Sequence, residues 1–363
     1  MISNYLRPSK WLIIIVLLGL FFWLSPSYSQ QVTDQVSEEA LKKALEGTAQ
    51  RAEPKVIAII DKDDQGNKLS FPSYLAYDPG RDELYVVDTA KGRIIVYSPD
   101  LFPIFSMGKG RGVFAPAGLA IDKQGNIYLC QGTSSYESRP HISVFNAAAI
   151  KIKDIFLKGF EGAENFHPRS IAIGQNGKLY VTGIGYRGLI VLDKEGNYIK
   201  TLAPKDRFTP ETPEKEAIIT DVFVDSQGRI YLLSEEMGRF YVYDHNEKFL
   251  FKGGQKGGGG GKLSRPRGIC ADPQKKLIYV VDYMRHTGLV YDYDTGKLKF
   301  EFGGRGWNPG WFNYPSDVMI DSFGRIYITD LFNHRVQVLE VEGGPKTSLP
   351  LSPVPSFLLP ENK

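Results

Sequence analysis

The chain has very few cysteines and almost no net charge. It contains only two cysteines, Cys130 and Cys270, in 363 residues, which excludes a disulfide-built scaffold and favours two buried thiols. Neither sign of charge dominates, because 44 Lys and Arg stand against 41 Asp and Glu, so steering of the whole molecule toward nucleic acid is not expected. The 38 glycines, 22 prolines, 20 tyrosines and 21 phenylalanines predict many short strands and tight turns.

Long apolar runs are also scarce, and the one that is present spans residues 11–24, after two basic residues. As a helix it would reach about 21 Å, which is shorter than a hydrocarbon core of roughly 30 Å. A small-x-small site at 27–29 follows, and this combination is typical of a secretory signal peptide. We therefore predict that residues 1–29 direct export to a periplasmic or extracellular location, with membrane attachment only if this segment is retained.

Two further segments lie outside the main body of the sequence. Residues 30–53 form a polar linker in which 37–47 predict a short helix, capped by Ser37 and closed by Gly47. Residues 345–363 are rich in proline, which cannot donate a hydrogen bond to a central ladder. We predict a tail there that does not join a sheet.

The rest of the chain repeats one motif six times. In each repeat an apolar segment leads through a turn into a second apolar and aromatic run. The first segments are 72–78, 116–122, 168–174, 219–225, 266–272 and 315–321, and the second are 84–88, 127–131, 179–183, 230–234, 278–282 and 326–330. A third run follows in every repeat and a fourth in five of them. Four short antiparallel strands in units of 44 to 52 residues are the period of a β-propeller blade.

Turn chemistry and chain closure support this interpretation. Asp-x-x-Gly joins the first two runs at 122–125, 225–228 and 321–324, where the carboxylate accepts a turn N–H and glycine supplies a positive φ. The sixth repeat lacks a fourth run, whereas an additional strand, 55–60, precedes the first repeat. Pairing the two removes an open sheet edge. We predict an all-β fold, a six-bladed β-propeller of four-stranded antiparallel blades over 54–344, closed by its N-terminal strand.

The repeats resemble those of NHL-repeat β-propellers. The shared pattern is Pro-x-Gly-Leu-Ala-x-Asp, then Gly-x-Ile-Tyr-Val-x-Asp, then Asn-x-Arg-Val-Gln-Val, and residues 333–338 are its closest copy. The resemblance implies that an Asp faces the Arg five positions on, across the second and third strands. Asp88 with Arg93 and Asp330 with Arg335 keep this pair, for which we predict a structural role, whereas the other repeats depart from it.

Patterns for catalysis or cofactor binding are weak. Four of the five histidines map to the upper side, defined as the side with the loops between second and third strands and between blades. Zinc lyases of the peptide-amidating type use a similar propeller with three converging imidazoles, but only His167 maps near the axis here. No Gly-x-Ser-x-Gly elbow is present, and no helix follows the glycine run 257–261 to bind phosphate. We predict no metal, no cofactor and no catalytic residue.

The upper side is where we predict ligand recognition, because function in such scaffolds lies on loops held by rigid strands. Arginine beside tryptophan is typical of interface hot spots, and loop 304–312 carries two tryptophans. Trp311 and Phe312 can equally cover the junction between the fifth and sixth repeats. The predicted contact residues are Tyr74, Arg169, Asp221, Arg267, Arg285, His286, Arg305, Trp307, Asp317 and His334.

The sequence thus predicts an exported, monomeric, non-enzymatic propeller that binds a protein, peptide or glycan through its basic and aromatic upper loops. Certain cytoplasmic NHL propellers bind RNA on such a face, but the export signal argues against a nucleic-acid partner. Two alternatives stay open. One is a hydrolase or lyase at the channel mouth, with or without a metal at His167, and the other is an assembly scaffold for an envelope complex.

Overall fold

Short strands make up almost all regular structure in residues 50–341, the part of the chain that this computed structural model describes. The predicted signal segment 1–29, the linker helix 37–47 and the tail 345–363 lie outside these residues. Within residues 50–341, no helix has the length and apolar character needed to cross a membrane.

The strands follow the predicted repeats. Two strands precede them, β1 (Arg51–Ala52) and β2 (Lys55–Ile60). Blade 1 contains β3 (Pro72–Asp78), β4 (Glu83–Asp88), β5 (Arg93–Tyr97) and β6 (Pro103–Met107), and blade 2 contains β7 (Pro116–Ile121), β8 (Ile127–Gln131), β9 (His141–Phe145) and β10 (Lys151–Ile155). Blade 3 contains β11 (Pro168–Ile173), β12 (Leu179–Gly183), β13 (Leu189–Leu192) and β14 (Tyr198–Leu202), and a small hairpin of β15 (Lys205–Asp206) and β16 (Lys215–Glu216) follows it.

The second half of the chain continues in the same way. Blade 4 contains β17 (Asp221–Val224), β18 (Ile230–Ser234), β19 (Arg239–Tyr243) and β20 (Phe249–Gly253), and blade 5 contains β21 (Pro266–Asp272), β22 (Leu277–Asp282), β23 (Thr287–Asp292) and β24 (Leu298–Gly303). Blade 6 contains β25 (Pro315–Ile320), β26 (Ile326–Asp330) and β27 (Arg335–Glu340). Short 3-10 turns occupy Thr89–Lys91, Lys109–Arg111, Ala163–Asn165 and Leu331–Asn333.

Strand order confirms the predicted six-bladed propeller. In blades 1 to 5 the four strands are hydrogen-bonded in chain order and antiparallel, so each inner strand, the first of its blade, has a single partner in its sheet. In five of the six inner strands the register with the second strand shifts close to the opening proline, as at a β-bulge. Backbone groups near the start of the inner strands therefore leave the ladder and are available for other partners.

The closing strand is confirmed as well. β2 completes blade 6 by pairing antiparallel with β27, with Ala58 opposite Val338 and Ile60 opposite Val336. All four of these side chains are buried. The ring is therefore closed by two segments that lie at opposite ends of the described chain.

One contact was not predicted. Arg51 and Ala52, which the sequence analysis assigned to the linker, form the strand β1, which lies parallel to β24 on the outer edge of blade 5. Arg51 Nε approaches Glu301 Oε1 at 3.3 Å. The outer edge of blade 5 is thus covered by the segment that leads into the closing strand.

The predicted turns and structural pairs are present. Asp122 Oδ1 accepts the N–H of Gln124, and Gly125 has a φ of 80°, so the Asp-x-x-Gly turn forms as expected. Arg93 Nε donates to Asp88 Oδ2 at 3.1 Å, and the same pair recurs in blade 6. Asp88 is fully buried and also accepts the N–H of Ser70, so it fixes the loop that enters its own blade.

Both cysteines are confirmed as free, buried thiols. Burial raises the pKa of Cys130 and of Cys270, so each thiol is held in its neutral form. They pack as small apolar side chains within separate core clusters between neighbouring blades.

Candidate functional site

Six equivalent residues lie at one end of the central channel, where the six inner strands are in contact. Each is the third residue of a first repeat segment, and we call this set the third-position ring. Its members are Tyr74, Gly118, Ser170, Asp221, Gly268 and Asp317. Three of the ten predicted contact residues, Tyr74, Asp221 and Asp317, therefore come together in the structure.

The two aspartates of the ring link neighbouring blades. The N–H of Ile269 donates to Asp221 Oδ2 at 3.0 Å, and Ser170 Oγ donates to Asp221 Oδ1 at 2.6 Å. The N–H of Leu75 donates to Asp317 Oδ2 at 2.7 Å. Ile269 and Leu75 are both the fourth residue of their segment, beside the register shift that frees backbone groups from the ladder. The carboxylates thus join blade 4 to blades 3 and 5, and blade 6 to blade 1.

The surroundings of these carboxyl groups disfavour their charged form. Burial raises the pKa of Asp221 to about 6, although hydrogen bonds from Ser170 and from backbone N–H groups oppose the shift. Burial and then the neighbouring charge of Asp221 raise the pKa of Asp317 well above its ordinary value. Burial also raises the pKa of the Tyr74 phenol, which the positive charge of Arg169 opposes. The end of the channel therefore favours neutral side chains at mildly acidic pH.

Two arginines flank the ring, each from the second position of an inner segment. Arg169 makes no hydrogen bond or ion pair within residues 50–341, and its Nε is buried. Arg267 Nε lies 3.0 Å from Glu235 Oε2, and the other oxygen of that carboxylate accepts from Arg265 Nε at 2.7 Å. Burial and then the charge of Arg169 lower the pKa of Arg267. Positive charge at the upper mouth of the channel is therefore only partly compensated by its neighbours.

A row of aromatic rings extends from Arg267 across the upper side, and we call it the upper aromatic arc. The ring centroids of Phe71 and Phe332 are 5.3 Å apart, those of Phe332 and Tyr314 are 5.1 Å apart, and those of Tyr314 and Tyr283 are 4.6 Å apart. The guanidinium of Arg267 lies 5.1 Å from the Tyr283 centroid. The sequence analysis did not nominate these aromatics. The available signal was that Phe71 and Tyr314 directly precede the proline that opens an inner strand.

His286 and His334 have a structural role in this arc. The N–H of Tyr314 donates to His286 Nδ1 at 3.0 Å, and the N–H of Phe71 lies 3.4 Å from His334 Nδ1. Both histidines have a positive φ, of 58° and 55°, at the same position of successive blades. Burial and then the charge of Arg305 lower the pKa of His286, so its imidazole is held neutral and able to accept. Each histidine thus joins a loop of one blade to the entry of the next.

The remaining predicted contact residues lie apart from the third-position ring. Arg285 is held by Glu301 Oε2, at 2.7 Å from Nη2, and by the carbonyl oxygen of Lys262, at 2.8 Å from Nη1. Arg305 and Trp307 are exposed, and 76% of the Trp307 surface is open to solvent. The structure therefore places Arg285 in an internal ion pair and leaves Arg305 and Trp307 free at the surface.

Loop 304–312 divides its aromatic residues between core and solvent. Phe312 is fully buried in the cluster between blades 5 and 6, where its ring packs 6.2 Å from that of Phe302. Trp311 is half-exposed, and its carbonyl oxygen accepts from Gln337 Nε2 at 2.7 Å. Phe312 thus covers the blade junction, whereas Trp307 remains a candidate for contact with a ligand.

Histidines do not gather into a metal centre in the described part of the chain, where no group of three or more His, Cys, Asp or Glu side chains could hold an ion. His167 Nδ1 lies 3.0 Å from the carbonyl oxygen of Asn165. His141 Nε2 lies 3.1 Å from Ser143 Oγ, within blade 2. These two histidines belong to local hydrogen-bond networks.

A cavity of about 580 Å³ continues from the third-position ring toward the lower side, defined as the side with the turns between first and second strands. We call it the central cavity. All six inner strands line it, mostly with apolar side chains, and their fourth residues are Leu75, Leu119, Ile171, Val222, Ile269 and Val318. The sequence analysis predicted a channel but not that it opens as a cavity toward the lower side. The sequence feature that indicates it is a small residue, alanine, at the fifth position of the first three segments, namely Ala76, Ala120 and Ala172.

Comparison with known proteins supports the repeat assignment. The family model of the NHL repeat matches residues 312–339, which cover blade 6 from just before β25 into β27. NHL repeat-containing protein 2 from Gallus gallus is 32% identical over 114 residues, which make up 28% of this chain and 16% of that protein. The match thus spans only a small part of the curated relative.

Solved structures share the architecture at low sequence identity. An auxiliary nutrient binding protein from Bacteroides ovatus is 18% identical with a TM-score of 0.57, over 79% of this chain and 76% of that one. A gluconolactonase from Xanthomonas campestris is 12% identical with a TM-score of 0.53, over 80% and 96% of the two chains. Likeness at these identities concerns the fold alone. The chain is therefore a six-bladed β-propeller in which residues 312–339 match the NHL repeat.

Proposed function

We propose that this protein is an exported, non-enzymatic binding protein that recognises an acidic segment of a protein, peptide or glycan at the upper mouth of its channel. The observation that carries the proposal is the pair Arg169 and Arg267. Arg169 has no partner within residues 50–341, and Arg267 shares the single carboxylate of Glu235 with Arg265.

The electrostatics of the arginine pair favour an anionic ligand. A buried polar atom without a hydrogen bond costs about 1–3 kcal/mol, and two positive charges in a partly dehydrated site repel each other. A carboxylate between Arg169 and Arg267 would accept from both guanidinium groups and would offset the repulsion that lowers the pKa of Arg267. Ligand binding would thus relieve an unfavourable arrangement of the free protein.

The upper aromatic arc and Trp307 supply the apolar part of the proposed surface. The arc begins beside Arg267, and its Phe332 is 42% exposed. Aromatic side chains bury a large area at a small cost in conformational entropy, and with arginine they dominate binding hot spots. We therefore expect the ligand to place an acidic group at the arginine pair and an apolar face along the arc.

The comparisons leave room for either function, because a nutrient-binding protein and a gluconolactonase share this fold. The choice between binding and catalysis rests on the site itself. Export and a monomeric state are part of the proposal and rest on the sequence of residues 1–29 and on the ring that β2 closes.

The proposal can be tested with two acidic probes, fluorescent poly-L-glutamate and polygalacturonate, and with neutral dextran as the reference. We expect the protein to bind at least one acidic probe and not dextran. Arg169→Ala and Arg267→Ala should each weaken that binding by about tenfold or more, because a hydrogen bond to a charged group is worth roughly 1.5–3 kcal/mol. Which of the two probes binds better distinguishes a peptide from a glycan ligand.

The matched control is Arg81→Ala, which removes an arginine from a turn of the lower side. It should leave the affinity for both acidic probes unchanged. Failure of the wild-type protein to bind either probe, or equal affinity of the wild type and Arg169→Ala, would refute the proposal.

A second candidate function is acid–base catalysis at the same end of the channel. The observation that favours it is the raised pKa of Asp221, about 6, beside the phenol of Tyr74. Against it, both oxygens of Asp221 already accept hydrogen bonds that link blades. Hydrolysis of glucono-δ-lactone by the purified protein, lost in Asp221→Asn, would establish this function in place of binding.

A further inference from the structure

The lower side of the molecule carries a second space beside the central cavity. This groove, of about 370 Å³, lies between the turns of blades 2 and 3 and shares part of its lining with the central cavity. The shared residues are Asp122, Lys123, Ile173, Gly174 and Gln175. The two spaces are therefore neighbours with Lys123 in the lining of both, and we call the smaller one the lysine groove.

The lining of the lysine groove carries one more positive than negative side chain. Its lining includes Lys123, Lys153 and Lys194, against the two carboxylates of Asp122 and Glu195, and Lys194 Nζ lies 3.6 Å from Glu195 Oε1. Asp122 accepts the N–H groups of its own turn, and Lys153 Nζ donates to a backbone carbonyl oxygen. Lys123 makes no hydrogen bond or ion pair with the described part of the chain and is exposed. An unengaged ammonium group thus stands at the outer rim of an apolar cavity.

The inner end of the central cavity, in contrast, is lined by acidic side chains. Asp221 and Asp317 line it, together with Tyr74 and Ser170. An anionic group placed there would have to lose its water in surroundings where burial already disfavours the charged form of Asp221 and Asp317. This cost favours the orientation in which the charged end of an amphipathic anion stays outside the cavity.

We propose that the central cavity binds a small amphipathic anion that enters from the lower side. Its apolar ring or chain lies between the inner strands, and its carboxylate or sulfonate lies in the lysine groove near Lys123. A cavity of about 580 Å³ with mostly apolar walls and a few polar groups has the size and character of a small-molecule site. This site is separate from the arginine pair on the upper side, so it does not depend on the function proposed above.

The experiment uses two fluorescent probes that differ in one charged group, measured with the full chain. 8-Anilinonaphthalene-1-sulfonate carries the sulfonate, and N-phenyl-1-naphthylamine lacks it. We expect both to bind with a saturable rise in fluorescence. Val224→Trp, which fills the cavity from blade 4 away from the lysine groove, should weaken both probes by about tenfold or more, because it replaces the space that their rings occupy.

Charge reversal in the groove separates the two ends of the site. Lys123→Glu combined with Lys194→Glu should weaken the sulfonate probe by about tenfold and the neutral probe by less than about twofold. Lys248→Glu is the matched control, since Lys248 is an exposed lysine of a lower turn that lines neither space. Thermal unfolding of each variant verifies that it is folded, and Ile320→Trp replaces Val224→Trp if that variant does not fold.

Three results would overturn the proposal. The first is the absence of saturable binding of the sulfonate probe. The second is unchanged binding in the folded cavity-filling variant, which would place the probes on the outer surface. The third is an equal loss of both probes on reversal of Lys123 and Lys194, which would show that no anion is recognised there.

Discussion

Asp221 holds inner strands together at a position where charge is disfavoured. Its two oxygens accept from Ser170 Oγ and from the N–H of Ile269, in the blades on either side. Leaving those donors without an acceptor in a buried site would cost about 1–3 kcal/mol each. The raised pKa of Asp221 is the consequence of keeping the carboxyl group in this buried position.

This shift predicts how the stability of the protein depends on pH. Since the folded-state pKa of Asp221, about 6, lies above the reference value of 3.8, the folded protein binds the proton more tightly. The free energy of unfolding should therefore increase as the pH falls through this window. Asp221→Asn cannot titrate but can still accept from Ile269 N–H and donate to Ser170 Oγ. We expect its urea unfolding to lack roughly 1–1.5 kcal/mol of the gain that the wild type shows between about pH 8 and about pH 5.

Asp221→Ala serves as the comparison, because it removes the acceptor together with the charge. It should lower the free energy of unfolding by roughly 2–6 kcal/mol at either pH, because two buried donors lose their acceptor. An Asn variant that follows the wild-type pH profile would show that another group titrates in this range.

Single residues also mark the limit of what the sequence can predict. The facing of Asp88 and Arg93 across one hairpin was expected from the resemblance to NHL repeats. The role of His286 was not, because its partner is the N–H of Tyr314 in the next blade. Likewise, the partner of Arg285 is Glu301, whose side chain is brought close only by the register of β23 with β24. Such roles depend on packing between segments, which a single sequence does not specify.

The position of the inner strands around the channel could be predicted from the sequence, but the contact between neighbouring inner strands could not. Their apolar character and the Asp-x-x-Gly turns were enough to place them around a channel. The close approach of neighbouring inner strands at the third-position ring was not predicted. A Cβ on Gly118 would lie 2.6 Å from the carbonyl oxygen of Arg169, and a Cβ on Gly268 would lie 2.6 Å from Asp317 Oδ1. Glycine at these positions lets blade 2 approach blade 3, and blade 5 approach blade 6.

We expect Gly118→Ala and Gly268→Ala each to lower the free energy of unfolding by about 1–3 kcal/mol, because the added methyl group forces two inner strands apart. Denaturant unfolding monitored by tryptophan fluorescence measures the effect. Gly110→Ala is the matched control, since a Cβ there meets no atom within 4 Å and the residue has no positive φ. Equal stability of the Gly118 and Gly110 variants would contradict the close approach.

The channel as a whole was predictable, but the side on which it opens was not. The repeats placed the upper loops and the lower turns correctly, because strand order in an antiparallel blade fixes them. The cavity extends toward the lower side because large and hydrogen-bonded side chains, Tyr74, Asp221 and Asp317, stand at its inner end, whereas alanines line the wall below them. Where the large and the small side chains lie along the channel depends on the direction in which each points after the register shift. The repeat pattern does not specify that direction.

Closure of the ring depends on one strand, β2. β2 buries Ala58 and Ile60 against Val336 and Val338 and provides the outer strand that blade 6 otherwise lacks. Without β2 the ladder of β27 has an open edge, and apolar side chains of blade 6 and blade 1 face water. Closure was predictable because it required only counting strands, one missing at one end and one additional at the other.

We therefore expect a chain that starts at residue 61, and so lacks β2, to lose more than about 5 kcal/mol in its free energy of unfolding, or to fail to fold, since two to four buried apolar side chains are worth roughly 1.5–3 kcal/mol each. A chain that starts at residue 53 is the control, because β1 is the one described strand that it loses, whereas it keeps β2. Its loss should be much smaller in the same urea titration. If both truncated chains were equally stable, blade 6 would not need its fourth strand, and closure by β2 could not be what holds the ring together.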